Sequence, residues 1–181
     1  LWERAVQLGK QIVWLHTYGE RGEPLPGMKY LHQLPEGADY TLPTPTVDMG
    51  KTMPEKKPSF SPDPVIGSLS EEESNPVMGA VSFGRARCEN VEKRVFDYTV
   101  GGNQVLGLWA KYRLKKPVVR RSSSLNDIVQ REWPEAWSEE YERLLYTLTH
   151  LVHLEPAQEK LLDEVLAGEQ IFREEFVDTE D

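Results

Sequence analysis

Val95-Phe96-Asp97-Tyr98-Thr99-Val100-Gly101-Gly102-Asn103-Gln104-Val105-Leu106-Gly107-Leu108-Trp109-Ala110-Lys111-Tyr112-Arg113 changes period at its centre. Before the glycines, Phe96, Tyr98 and Val100 alternate with Asp97 and Thr99, the period of a half-buried strand. After them, Val105, Leu108, Trp109 and Tyr112 recur at helical spacing. Gly101-Gly102 separates the two as a tight turn, and Asn103 is placed to cap the helix that follows. A strand and a helix joined this closely predict an α+β domain, with the helix over 104–113.

Upstream, Val77 to Phe83 is β-prone and ends at Gly84, a turn residue. Arg85 to Cys88 forms a second short strand, turning at Glu89-Asn90. These runs predict a small antiparallel sheet over about 77–100. At the start of the chain, Trp2, Ala5, Val6, Gly9, Val13 and His16 share one helical face, which gives a helix over 1–18. Downstream, Ser138 opens a helix whose first turns carry Glu139, Glu140 and Glu142, where the helix dipole favours acids. Tyr141, Leu144, Leu145, Leu148 and Val152 form its apolar face. Pro156 suits a first helical turn, so the pattern divides into helices over 138–154 and 156–167. Ala157, Leu161, Leu162, Val165 and Leu166 face inward in the last one, and Gly168 ends it.

Ten of the thirteen prolines lie within 20–77. Proline fixes φ and removes a donor, so this stretch is read as long and irregular. The chain then divides into an entry helix (1–19), a Pro-rich region (20–77), a strand-turn-helix segment (78–124) and a helical C-terminus (125–181). With 181 residues, one domain accounts for all four. The chain begins with Leu1 inside a helical pattern, so it is expected to be part of a longer protein.

The charge is segregated. The net charge is −9 overall. Residues 79–121 carry ten basic and three acidic side chains, whereas 122–181 carry four basic and sixteen acidic. Phosphate binding needs local positive charge, so the central segment is the candidate nucleic-acid surface. Its cations are Arg85, Arg87, Lys93, Arg94, Lys111, Arg113, Lys115, Lys116, Arg120 and Arg121. Arginine and lysine contact phosphates, and arginine pairs bidentately with guanine. Gln104 joins the candidates because amides pair with adenine. The competing reading is a solvated face, with Lys111, Arg113, Lys115 and Lys116 favoured at a helix C-terminus in any case.

Other chemistry is poorly supported. The single cysteine, Cys88, excludes an internal disulfide framework and fits a cytoplasmic setting. No apolar run is long enough to span a membrane, and no signal peptide is visible. Trp2, Trp14, Trp109, Tyr112, Trp133 and Trp137 are read as core rather than as base-stacking platforms. His150 and His153 are three apart on a helix, but a metal site needs more ligands. Asp48 with Glu55-Lys56-Lys57 is similar to a nuclease carboxylate motif. Pro54 and Pro58 interrupt the strand such a site requires, so that reading is rejected. Arg120-Arg121-Ser122-Ser123 reads as a polar linker before it reads as a phosphorylation site. No phosphate loop, adenine-methyltransferase motif or S-adenosylmethionine loop occurs in the chain.

Four blocks carry a family resemblance: Val95–Arg113, Leu15-His16-Thr17-Tyr18-Gly19-Glu20, Ser124-Leu125-Asn126-Asp127-Ile128, and Leu154-Glu155-Pro156-Ala157-Gln158 with Ala167-Gly168. In this order the chain resembles the C-terminal specificity (target-recognition) domain of type ISP restriction–modification enzymes. Leu125 follows serine where the family pattern has proline. The resemblance implies a parent with nuclease, helicase-type motor and adenine-N6 methyltransferase domains, using S-adenosylmethionine, ATP and Mg²⁺. It implies that this chain is not itself an enzyme and holds no cofactor. Its expected partners are double-stranded DNA and the adjacent methyltransferase and motor domains, with no membrane. The alternative from another class is a protein–protein docking module in a DNA-motor complex without DNA contact.

Overall fold

The computed structural model describes residues 1–63, 76–116 and 130–168. The β-prone run after Val77 forms β3 (Met78–Phe83), and β4 (Ala86–Glu92) returns antiparallel to it. Gly84, at φ +61°, opens the two-residue turn between them. A two-residue hairpin of this kind needs positive φ at its first central residue, which glycine takes without strain. The expected turn at Glu89-Asn90 is instead a bulge. Gly79 pairs with Val91 and Val81 with Cys88, so β4 holds one extra residue there. Asn90 takes a left-handed φ of 56° and absorbs the kink without ending the strand.

The Pro-rich region is mostly irregular, yet it widens the sheet. β1 (Thr44–Thr46) pairs with β4, and β2 (Ser59–Pro62) pairs with β3, giving the order β1-β4-β3-β2. Pro45 and Pro62 lie on these two strands, and both strands are edges. An edge strand has one side free of ladder bonds, which is where proline is tolerated.

The strand expected through Phe96 divides differently. α2 (Lys93–Asp97) turns there, followed by β5 (Thr99–Val100) and β6 (Asn103–Gln104). Val91, Val95 and Tyr98 face the core at helical spacing, whereas Val100 is exposed. Gly101 and Gly102, both at positive φ, make the tight turn between β5 and β6. α3 (Val105–Lys111) follows. Asn103 does not cap it: its side chain donates to the Gly101 carbonyl, and Gln104 occupies the cap position without a side-chain capping bond.

α1 (Trp2–His16) packs on α4 (Glu135–Leu166), which runs unbroken through Pro156. Pro156 removes one intrahelical bond, a cost of about 3 kcal/mol. Burial of Tyr141, Leu144, Leu145, Leu148, Leu151 and Val152 anchors the helix one turn earlier and carries it through. Beyond Pro156 only Leu161 of the expected inward residues is even half-buried; Ala157, Leu162, Val165 and Leu166 are exposed. Trp2 and Tyr112 are likewise exposed, at 79% and 67%, against the expectation of core. Trp14 and Leu15 are the buried positions of α1.

The β2–β3 edge offers a clean test of packing. A Cβ on Gly79 would lie 2.3 Å from the Ser61 carbonyl oxygen and 2.6 Å from the Phe60 ring. Gly79→Ala therefore overpacks a backbone contact. Urea unfolding should show a loss of about 2 kcal/mol; an unchanged midpoint would mean that β2 does not hold this register.

Candidate nucleic-acid interface

Strand pairing places Thr46, Arg87, Ser82 and Ser59 side by side across all four strands. Their neighbours Val81, Phe83 and Cys88 are buried, so this row lies on the opposite, solvent-facing side of the sheet. Arg87 is exposed, and its Nε bonds Glu89 at 3.1 Å. The row leads to the hairpin tip, where Arg85 reaches Asp48 at 3.8 Å.

Beside the tip is a cleft of about 390 Å³, lined by Glu55, Lys56, Lys57, Ser59, Ser82 and Arg85 among others. Gly84 sets its shape. A Cβ there would meet Met49 Cε at 2.7 Å and Pro54 Cβ at 3.0 Å, so the 49–54 loop seats directly on the turn. Outside the cleft, Lys115 donates its backbone N–H to Pro54 O and its ammonium bonds Glu55, each at 2.7 Å. That bond holds the Glu55 carboxyl below the usual carboxylate range. Lys116 follows, exposed. Asp48 and Glu55 are therefore each engaged by a cation, Arg85 and Lys115 respectively, rather than by one another.

The remaining candidates are dispersed. Lys93 pairs with Asp97, and Arg94 donates to Glu92 at 2.8 Å, at the far end of β4 from Arg85. Six residues of strand at about 3.3 Å each put the two groups roughly 20 Å apart. The Gln104 amide donates to the Phe96 carbonyl at 2.7 Å and so supports the chain reversal. Lys111 lies over the ring of Tyr112, 5.9 Å from its centroid. Arg113 faces inward. It stacks 4.1 Å from the centroid of Trp109, bonds both oxygens of Glu140 at 2.8 Å, and is 18% exposed. Arg120 and Arg121 lie outside the described residues.

Lys56 and Lys57 are the cations that sequence reasoning missed. Their signal is an adjacent pair between Pro54 and Pro58, which lies outside the net-basic 79–121 segment on which the charge reading rests.

The histidines serve the fold. His150 is fully buried: its Nε2–H donates to the Leu31 carbonyl at 2.8 Å, and its Nδ1 accepts from the Tyr40 hydroxyl at 2.7 Å. His153 stacks on Tyr40 and bonds Glu92 at 2.6 Å. Together they fasten the irregular 25–40 segment to α4. Burial pushes the Cys88 thiol up to about 12, with Glu142 and Glu89 adding to the effect. A thiol held protonated in this way is a poor nucleophile.

Residues 1–146 match the family model described as the type ISP C-terminal specificity domain. Comparison with curated proteins and with solved structures returned no match.

Two outcomes follow from this geometry. Arg113→Glu places a second acid against Glu140, and should lower stability by about 2 kcal/mol or more in urea unfolding; wild-type stability would show Arg113 to be a surface cation. Burial also holds the His150 pKa below its ordinary 6.5. The unfolded chain then binds that proton more readily, so stability falls as pH drops below about 6.5. His150→Gln should flatten that dependence by up to about 1.4 kcal/mol per pH unit. Parallel pH profiles for variant and wild type would contradict the assignment.

Proposed function

Because this chain belongs to the type ISP C-terminal specificity domain family, we propose that it reads a short sequence in double-stranded DNA and presents a target adenine to an adjacent N6-adenine methyltransferase domain. A specificity domain is the non-catalytic, target-recognising part of a restriction–modification enzyme. The reading places S-adenosylmethionine, ATP and Mg²⁺ in the methyltransferase and motor domains of the parent, in the cytoplasm. Among the described residues, no helix is long and apolar enough to cross a membrane.

The observation that carries this reading is the gathering of Lys56, Lys57, Arg85, Lys115 and Lys116 at the end of a hydroxyl-bearing sheet face. Cations there neutralise phosphates and fix the register of the duplex. Thr46 and Arg87, on the same face, are the adjoining groups available to base edges.

Neutralising about three phosphates gives a slope of log affinity on log salt near −2.7, or about a fortyfold loss from 50 to 200 mM. A fluorescence titration with a random-sequence duplex pool, followed by sequencing of the bound fraction, should give that slope and enrich a short motif. Absence of binding by the folded chain at 50 mM salt would contradict the reading and favour a docking module without DNA contact.

A further inference from the structure

We propose that the cleft between the 52–59 loop and the β3–β4 turn is a seat for a single phosphodiester group, with Lys56, Lys57 and Arg85 as its cations and Ser59 and Ser82 as its hydroxyl donors. This rests on the reading of the domain as DNA-binding and names the groups that would grip the backbone.

Three features make the cleft a site rather than a gap between loops. First, its charge is unbalanced. Glu55 is the single carboxylate among its lining residues, and Lys115 neutralises it from outside. Among the described residues, neither Lys56 nor Lys57 has a carboxylate within ion-pair distance. Arg85 touches Asp48 only at 3.8 Å and at high exposure, a contact worth little in water. An anion entering the cleft would therefore meet three cations with little to displace.

Second, the donors come from separate elements held at fixed positions. Ser59 and Ser82 are register partners across β2 and β3, and Arg85 projects from the turn at the end of the same strand pair. The turn is locked by the contact of Gly84 with Met49 and Pro54. The two serines, fixed by the strand ladder, meet an anion at a lower ordering cost than loop hydroxyls would. Third, Ser59 and Ser82 belong to the same cross-strand row as Arg87, so a phosphate seated here would adjoin that row rather than stand apart from it.

A phosphodiester suits these groups better than a carboxylate does. It presents two anionic oxygens and two ester oxygens, which use lysine point charges, a guanidinium fork and hydroxyls together. The same chemistry is offered by a DNA backbone or by a free phosphate compound, and the test separates the two.

Dimethyl phosphate is titrated into the full chain while backbone amides are followed by NMR. In parallel, duplex affinity is measured over salt for wild type, for Lys56→Ala/Lys57→Ala, and for the charge-matched control Lys29→Ala/Lys160→Ala. All four lysines are exposed, so neither double variant threatens the fold. The proposal expects dimethyl phosphate to shift the amides of Ser59, Ser82, Gly84 and Arg85 in wild type and the control but not in Lys56→Ala/Lys57→Ala. It expects that variant to bind duplex about tenfold more weakly, with a salt slope shallower by about 1, and the control to match wild type. Equal losses in the two double variants, or no amide shifts at the cleft, would overturn the seat while leaving DNA recognition standing. Cleft shifts with dimethyl phosphate but no duplex binding would overturn DNA recognition and make the seat one for a free phosphate compound.

Discussion

The aromatic cluster around Phe83 is the constraint on which the rest of the molecule depends. Its ring lies 5.7 to 6.0 Å from those of Trp109, Trp133 and Tyr141. These residues come from β3, α3, the segment before α4, and α4 itself, so one cluster joins sheet, helices and connection. Arg113 closes it by stacking on Trp109 and Trp137 while Glu140 holds its guanidinium. Each aromatic pair adds about 0.5–1.5 kcal/mol beyond burial. Phe83 is also the residue before Gly84 and Arg85. This cluster thus begins one residue from the hairpin turn, and the cleft is built beside that turn.

Charge is distributed to match. The basic groups of the hairpin end lie on the open face of the sheet, while the acidic side chains of α4 belong to the opposite layer. The net charge of −9 therefore says little about any one surface. Repulsion between α4 and a polyanion falls off beyond about 8–10 Å at physiological salt. The local field at the cleft is set by Lys56, Lys57 and Arg85, with Glu55 and Lys115 offsetting one another, not by the sum over the chain.

Much of this fold was legible in the sequence, and the failures share a cause. The β3–β4 hairpin is readable because alternation and Gly84 are local signals; the extent of α3 is readable too, but its fully buried positions are Leu106 and Ala110, whereas Leu108 and Tyr112 are exposed. Phe96, Tyr98 and Val100 misled because three alternating positions also fit a turn of helix followed by an extended pair; buried Val95 decides between them, and its burial is tertiary. Pro156 was read as a boundary by its local cost, which packing of the preceding turns outweighs. Arg113 was read as a surface cation because Glu140 lies 27 residues away. The cleft is invisible in the sequence for the same reason: residues 52–59 reach the hairpin through the pairing of Ser59 with Ser82 and the approach of Pro54 to Gly84, both of them tertiary. The family resemblance, carried by Val95–Arg113 and three shorter blocks, proved to be the most direct route to target recognition.

The most direct test of the account is a lysine footprint: acetylation of every lysine, with and without saturating duplex DNA, read by mass spectrometry. The account predicts strong protection of Lys56, Lys57, Lys115 and Lys116, with Lys10, Lys29 and Lys160 modified equally in both states. Protection confined to Lys10, Lys29 or Lys160, with the hairpin-end lysines unchanged, would contradict it and move the interface to the helical face.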